Sequence, residues 1–302
     1  MTELVIRSLA AGEEHLFEQF ADPAQVPVGR AALGRSYRDF TAANEYRPAW
    51  TWVALRGDRV VARAAWWGGP TDDAPCCLDW FDLSEPAAGV ALLRAAGLRY
   101  EYYLPLPPGW RNLPAVRAAA QLRIDAAIGS GMRPLVERFH YRWTPANGLP
   151  PRPGRLRYAP EPDDAVILDA LRRMEHGSLD AHSRAAIAAH GIDEAAKEDL
   201  KTLHWFPSPR DWWRLAYTPG GELVGLTIPA RNYADPVVGL IGVVPEQRGH
   251  GYGYDLLVEC THLLVEAGAD RVVAATDQTN TPMAAAFARA GYPIDRELVF
   301  LE

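Results

Sequence analysis

Cysteine, basic charge and long apolar runs are scarce in this sequence, and each scarcity excludes a class of protein. The chain has 3 cysteines, and the adjacent Cys76 and Cys77 with the distant Cys260 form neither a metal-ligand spacing nor a disulfide framework. A net charge of −7 without a long basic run argues against a nucleic-acid partner. No apolar stretch approaches the roughly 18 residues of a membrane span, and the first residues lack a signal-peptide pattern. We therefore expect a cytoplasmic protein with no metal, no nucleic acid and no membrane partner.

The length and the apolar content predict two domains. The chain has 302 residues, of which 48% are hydrophobic, which is enough for a sizeable core in each of two domains. The segment TPANGLPPRPGR, Thr144 to Arg155, has four prolines and two glycines and is typical of an extended linker. We predict one domain over residues 1–147, a linker over 148–155 and a second domain over 156–302.

The two halves have a similar order of predicted elements. Each contains a hairpin, with a turn at Gly57-Asp58 in the first half and at Pro219–Gly221 in the second. A strand, a helix, a strand, a helix and a closing strand follow in both. This order predicts an α/β class with mixed sheets, built as a tandem duplication, although two unrelated α/β domains remain an alternative.

The stretch VVPEQRGHGYGYDLL, Val243 to Leu257, joins a predicted strand to a predicted helix. Its alternating glycines are Gly249, Gly251 and Gly253. Glycine lets the backbone approach a ligand closely, and the unpaired N–H groups of a helix N-terminus attract anions such as a pyrophosphate. A Rossmann fingerprint needs its third glycine at position 254, and a P-loop needs a Gly-Lys-Ser/Thr ending; neither is present.

The remaining pattern, R-x-x-G-x-G at Arg248 to Gly253, resembles the main cofactor motif of the GNAT superfamily of acetyl-CoA-dependent N-acyltransferases. The later segment NTPMAAAFARAGYP resembles the motif that follows it in the family, with Asn280, Gly291 and Tyr292 in matching places. The residues themselves also predict that Asn280 caps a helix. The resemblance covers roughly residues 155–302 and implies two GNAT-like domains, each a mixed central sheet with helices on both faces.

The resemblance also implies where acetyl-CoA, or another acyl-CoA, lies. The cofactor would sit between two splayed parallel strands, with its pantetheine arm beside the strand before the loop, its pyrophosphate on the loop amides, and Asn280 near the pantetheine or acetyl end. Arg248 would add a charged donor. The implied cofactor-binding residues are Ile241, Gly242, Val243, Arg248, Gly249, His250, Gly251, Tyr252, Gly253, Tyr254 and Asn280.

The family's usual acid and base are absent from the positions that match. Phe287 stands where a tyrosine often protonates the leaving thiolate, and Ala275 stands where a glutamate base is common. Proximity with ordered water, side chains elsewhere in the domain, or binding without transfer are all compatible with this. The candidate side chains are Glu175 and His176, at the end of the first helix of the second half, and Asp235, in a turn before the cofactor strand, with capping, solvated or turn-forming roles as the alternatives.

The first half lacks the glycine loop, so we expect a degenerate copy that does not bind CoA. Tandem members of the family with one active and one worn-out half include the synthases of actinobacterial thiols. The expected function is acyl transfer from acetyl-CoA to the amine of a small molecule by direct attack, which leaves Cys260 as a structural thiol. The alternative is a CoA-binding or regulatory module without turnover. The protein is expected to be a monomer or a homodimer.

Overall fold

The computed structural model describes residues 3–21 and 25–302. They form two compact units, one of residues 3–21, 25–137 and 296–302 and one of residues 138–295. None of the described helices is both long enough and apolar enough to cross a membrane.

Both halves of the chain contain helices and strands. The first half contains β1 (Leu4–Ser8), α1 (Glu14–Glu18), α2 (Tyr37–Ala42), β2 (Thr51–Arg56), β3 (Arg59–Trp67), β4 (Cys77–Leu83), α3 (Pro86–Ala96), β5 (Tyr102–Leu106), α4 (Pro114–Ser130) and β6 (Pro134–Trp143). The second half contains β7 (Arg157–Pro160), α5 (Asp164–Glu175), α6 (Ala181–His190), α7 (Ile192–Trp205), β8 (Arg214–Tyr217), β9 (Leu223–Arg231), β10 (Pro236–Val243), α8 (Tyr252–Glu266), β11 (Val272–Asp277), α9 (Thr281–Arg289) and β12 (Ile294–Leu301).

Each unit is a mixed sheet with helices on both faces, which confirms the predicted fold class. In the first unit the strands run in the order β1-β2-β3-β4-β5-β12, and in the second the order is β7-β8-β9-β10-β11-β6. One apolar layer of the second unit joins α8 and α9 to β11 and β6, and another joins α5 and α7 to β8, β9 and β10. Both hairpins form at the predicted turns, since β2 meets β3 across residues 57–58 and β8 meets β9 across 218–222.

The last strand of each half belongs to the other unit. From Arg138 onward β6 pairs antiparallel with β11, where Arg142 lies opposite Val273. The C-terminal part of β12 pairs antiparallel with β5, where Leu301 lies opposite Tyr102. The units therefore do not follow the sequential division at the linker, because long-range strand pairing, which has no local signature, completes each sheet.

In the first unit the parallel strands β4 and β5 separate after a single paired position, Leu78 with Tyr102. Leu78 N donates to Glu101 O at 2.8 Å. Backbone groups alternate between the two edges of a strand, so the carbonyl of Pro105 points to the same edge as that of Glu101. Gly29 N donates to Pro105 O at 2.9 Å there. The unit's own chain thus fills the gap between these strands.

Candidate functional site

The parallel strands β10 and β11 of the second unit also splay. They pair at one position, Val237 with Val273. The register of β10 against β9 shifts between Val238 and Leu240, which marks a bulge just past that pairing. A V-shaped gap between two parallel strands is therefore present in the unit that carries the glycine loop.

The main chain of β10 presents polar groups to this gap. Val244 N donates to Val224 O at 2.9 Å, so the carbonyl and N–H of residue 244 face β9. Because these groups alternate along a strand, those of Val243 and Ile241 point to the other edge, toward β11. Beyond Val237 that edge has no ladder partner in the described chain. The predicted pantetheine strand thus has hydrogen-bonding groups available where the resemblance requires them.

The glycine loop ends in a row of open amides. Gly249 and Gly251 have φ values of +84° and +74°, a conformation that side chains rarely adopt. The N–H groups of residues 249–253 have no acceptor among the hydrogen bonds of the described residues. Tyr252 and Gly253 open α8, so the helix dipole adds to these donors. His250 is exposed beside them and its ring stacks on Tyr252. The arrangement is an anion cradle.

Arg155, from the predicted linker, supports the loop from its carbonyl side. Its guanidinium donates to His250 O at 3.1 Å and to Gly251 O at 3.4 Å. The same group pairs with Asp255, which is 1% exposed, with Nε to Oδ1 at 3.0 Å. Holding these carbonyls on one side directs the neighbouring N–H groups to the other. The residue composition of the linker gave no hint of this role.

Arg248 does not present its guanidinium to the cradle. Its nitrogens donate to four carbonyls: Met174 at 2.7 Å, His176 at 2.6 Å, Gly177 at 3.1 Å and Val243 at 3.1 Å. Its own N–H donates to Pro245 O at 3.2 Å. The expectation of a charged phosphate donor is therefore corrected. The carbonyls at the end of α5 lack helical partners, and the guanidinium satisfies them while fixing the loop against that helix.

Asn280 caps α9 as predicted. Its Oδ1 accepts from Met283 N at 3.3 Å. Tyr254 lies on the first turn of α8, under the guanidinium of Arg289. Cys260 is fully buried on the same helix, and burial raises the pKa of its thiol to about 12, which fits a structural thiol.

Comparison with known proteins places these features in a family. The acetyltransferase (GNAT) family model matches residues 180–292, which include the splayed strands, the loop and Asn280. Residues 180–292 therefore form a domain of the GNAT superfamily. It is 26% identical over 180 residues to "Mycothiol acetyltransferase" of Arthrobacter sp. (strain FB24), a match that covers 56% of this chain and 53% of the relative. The aligned part thus spans about half of that relative.

Two solved structures share the fold of this chain. A GCN5-related N-acetyltransferase from Sphaerobacter thermophilus has a TM-score of 0.59 at 14% identity and covers 99% of this chain and 94% of its own. A tandem GNAT protein from the clavulanic acid biosynthesis pathway, solved without AcCoA, has a TM-score of 0.51 at 20% identity, with 99% and 98% covered. At these identities the likeness concerns the fold alone.

Phe287, at the position where the resemblance implies a tyrosine that acts as an acid, is part of the core. Phe287 is 2% exposed and stacks on Tyr141 with ring centroids 4.2 Å apart. A hydroxyl on a side chain at position 287 would be buried away from water and would face the ring of Tyr141. An aromatic ring of the core therefore stands at the position where the resemblance implies a hydroxyl.

Glu175, His176 and Asp235 are not brought together. Glu175, the last residue of α5, is 6% exposed, and its Oε2 has no hydrogen-bond partner in the described structure. His176 is an exposed C-cap. Asp235 pairs with Arg271, and its N–H donates to Asn232 Oδ1 at 2.7 Å, which is the turn-forming alternative.

Burial and the neighbouring carboxylate of Glu175 raise the pKa of Asp199 on α7. The two carboxyls form a pair that favours a shared proton, since two adjacent negative charges are costly in a buried place. This links α5 to α7.

Sequence reasoning missed a polar cluster at the end of β11. The carboxylate of Asp277, which is 1% exposed, accepts from Arg138 Nε at 2.7 Å and from Ala181 N at 2.7 Å. Arg138 also pairs with Asp180 and lies 2.8 Å from His182 Nδ1. Arg138 is on β6, in the other half of the chain, so no local pattern in the second half could indicate it.

Proposed function

We propose that this protein is an N-acyltransferase that moves an acetyl or other acyl group from acetyl-CoA to the amine of a small molecule by direct attack. The row of open amides from Gly249 to Gly253 carries the proposal. It lies at the end of a strand whose main chain faces a V-shaped gap, as the binding of an extended thioester with a pyrophosphate requires. The similarity to a protein named mycothiol acetyltransferase supports acetyl transfer.

The residues present fit this co-substrate. The amides of residues 249–253 would hold the pyrophosphate, and the groups of Ile241 and the N–H of Val243 would hydrogen-bond the pantetheine arm. An N–H near Val243 would stabilise the thioester oxygen as negative charge develops on it. Bound acetyl-CoA would supply the activated acyl group. The chain's own contribution is to bind and orient it.

The first unit is proposed not to bind CoA. It has no R-x-x-G-x-G loop, and Gly29 occupies the edge of β5 that the opening of β4 and β5 would otherwise expose. Arg30 Nε lies 3.2 Å from the buried carboxylate of Asp79 beside it, which ties the segment to β4. A single cofactor site per chain follows from this.

The reaction is proposed to take place in the cytoplasm, on a weakly basic amine. All 3 cysteines are free thiols, as a reducing compartment favours. A lysine-type amine with a pKa near 10.4 is about 0.04% neutral at pH 7, whereas an α-amine with a pKa near 7.7 is neutral at roughly the ten to twenty per cent level. Acceptors of the second kind need less help in losing a proton.

The test combines calorimetry with free-thiol release. Acetyl-CoA is titrated into the protein, and then incubated with it and a panel of amino sugars, amino acids and peptide N-termini. We expect one bound CoA per chain and thiol release with at least one acceptor. Tight CoA binding with no thiol release from any amine would favour the module without turnover.

A matched pair of variants examines the cradle. A Cβ at Gly253 would meet nothing closer than Met283 Sδ at 3.8 Å, so side chains fit there. Gly253→Glu places a negative charge roughly 5 Å from the pyrophosphate, at a helix start that tolerates acids. After solvent screening, the repulsion between the carboxylate and the pyrophosphate should weaken CoA binding by about 1.4 kcal/mol, or roughly tenfold in Kd. This effect is measured relative to the neutral control Gly253→Gln. Equal affinities of the two variants would contradict the assignment of the cradle.

A further inference from the structure

The sheet face around Ala275 is open in the middle of the second unit. Ala275 is exposed although β11 lies between two other strands. Its neighbour Ala274 points to the opposite face, where it packs with Tyr141 and Phe287 in an apolar layer. An exposed residue on a central strand marks a place where no helix covers the sheet. The resemblance puts the family's common glutamate base at this position, and an alanine cannot accept a proton.

A histidine lies directly across from this alanine. His140 on β6 is the antiparallel partner of Ala275, so the two side chains are on the same face, with Cβ atoms about 5 Å apart. His140 is contributed by the first half of the chain and joins the sheet because β6 pairs with β11. An imidazole thus stands beside the place from which the usual base is missing.

The ring of His140 is held by a carboxylate. Its Nδ1 contacts Asp295 Oδ1, and Asp295 Oδ2 accepts from Arg142 Nε at 3.2 Å. Among the described residues every hydrogen bond to this ring is made at Nδ1, which leaves Nε2 for a ligand. A carboxylate at Nδ1 keeps the proton of the neutral ring there, so the lone pair is on Nε2. It also stabilises the imidazolium that forms when Nε2 takes a proton.

The charges on this face are balanced around His140. Arg138 and Arg142 flank it on β6, and each has a carboxylate partner. The titratable and charged groups on the neighbouring elements are Asp277 on β11, Asp295 on β12, and Asp180 and His182 at the start of α6. Because the arginines are paired, they do not prevent the ring from becoming positively charged.

We infer that His140, oriented by Asp295, is the general base for the acceptor amine. The inference rests on the proposed function. The amine nitrogen forms a C–N bond with the thioester carbonyl carbon, its proton passes to Nε2 of His140, and the C–S bond breaks with the electron pair leaving on the CoA sulfur. The imidazolium then returns its proton to the thiolate or to water, so the products are an amide and free CoA. Asp295 is a positioning residue.

The test compares His140→Gln, Asp295→Asn and a control, His204→Gln, on the outer helix α7. Thiol release is measured from pH 5.5 to 9.5 with an acceptor found in the amine panel, and CoA affinity by calorimetry. We expect His140→Gln to lower kcat/KM for the amine about hundredfold and to remove the acidic limb of the pH profile, with CoA affinity unchanged. Asp295→Asn is expected to lower kcat/KM about tenfold. His204→Gln should match the wild type.

A second readout does not depend on turnover. An NMR spectrum of the His140 ring nitrogens in the protein without CoA should show the proton of the neutral ring on Nδ1, and Asp295→Asn should reduce the share of that tautomer. If circular dichroism shows that His140→Gln is unfolded, His140→Asn is used in its place. An unchanged kcat/KM and acidic limb in a folded His140 variant would overturn the inference alone. The inference would also be overturned if Glu175→Gln removed the acidic limb of the pH profile while the His140 variant kept it. Wild-type protein that binds CoA but acylates no amine would overturn both proposals.

Discussion

Gly225 on β9 lies very close to the main chain of β10, and this gives a sharp prediction for Gly225→Ala. A Cβ at this residue would lie 1.9 Å from Gly242 O, 2.9 Å from Gly242 C and 3.0 Å from Val243 Cα. All three atoms belong to the main chain of β10, so no side chain can move aside. Separating them to a normal contact requires β9 and β10 to shift apart by more than an ångström.

The cost follows from that shift. Overpacking against rigid neighbours costs about 1–3 kcal/mol, and the loss of one or two strand hydrogen bonds adds about 1 kcal/mol each. We expect Gly225→Ala to lower the free energy of unfolding by about 4 kcal/mol, which corresponds to a Tm lower by about 8–16 °C for a unit of this size. Because Gly242 and Val243 border the gap, the remaining folded protein should also bind acetyl-CoA more weakly.

Thermal unfolding followed by circular dichroism measures this effect, and Gly220→Ala is the matched control. Gly220 lies in the turn of the same hairpin, where a Cβ would meet only Thr218 Oγ1 at 3.6 Å, an ordinary contact. The control is expected to unfold within about 2 °C of the wild type. If Gly225→Ala behaves like the control, β9 and β10 are not as close as the structure shows.

Two further predictions concern stability. Burial raises the pKa of Asp79 to about 6, so the folded protein favours the neutral form of this carboxyl more than the unfolded chain does. The stability it contributes is present below about pH 4 and is lost as the pH rises through 6, by up to about 3 kcal/mol. Urea unfolding of Asp79→Asn should show less of this decline; an identical pH dependence would refute the assignment. Arg155→Met leaves the buried Asp255 without its cation and should cost about 2 kcal/mol, most of it recovered in Arg155→Met/Asp255→Leu. No recovery in the double variant would mean that the bonds of Arg155 to the loop, and not the ion pair, hold the structure.

The sequence predicted the parts of the site that depend on local pattern. The strand, the glycine loop, the helix and the cap at Asn280 lie within a short stretch, and each has a composition dictated by its backbone. The pairing of Arg155 with Asp255 joins residues 100 positions apart, and that of His140 with Asp295 joins residues 155 positions apart. Such pairs depend on which strands and loops meet, and neighbouring residues do not encode that.

The direction of the Arg248 side chain also differs from the prediction made from the sequence. Arg248 matches the motif by position, yet its guanidinium is used on carbonyls at the end of α5. A long, flexible cation next to unpaired carbonyls binds them as readily as it binds a phosphate, and spacing alone does not distinguish these outcomes.

The helix α7 was also missed, although Ile192–Trp205 lies against α5 with an amphipathic face.

The membership of β6 and β12 bears on whether either half of the chain could fold without the other. Each half gives its last strand to the sheet of the other unit, which is the arrangement of a strand-exchanged homodimer joined by a linker. Cutting the linker would leave neither half with a complete sheet, and each would expose a strand edge. The first half has no cofactor loop, yet it cannot be discarded by deletion. It supplies the strand that closes the sheet of the second unit, and with that strand it supplies His140.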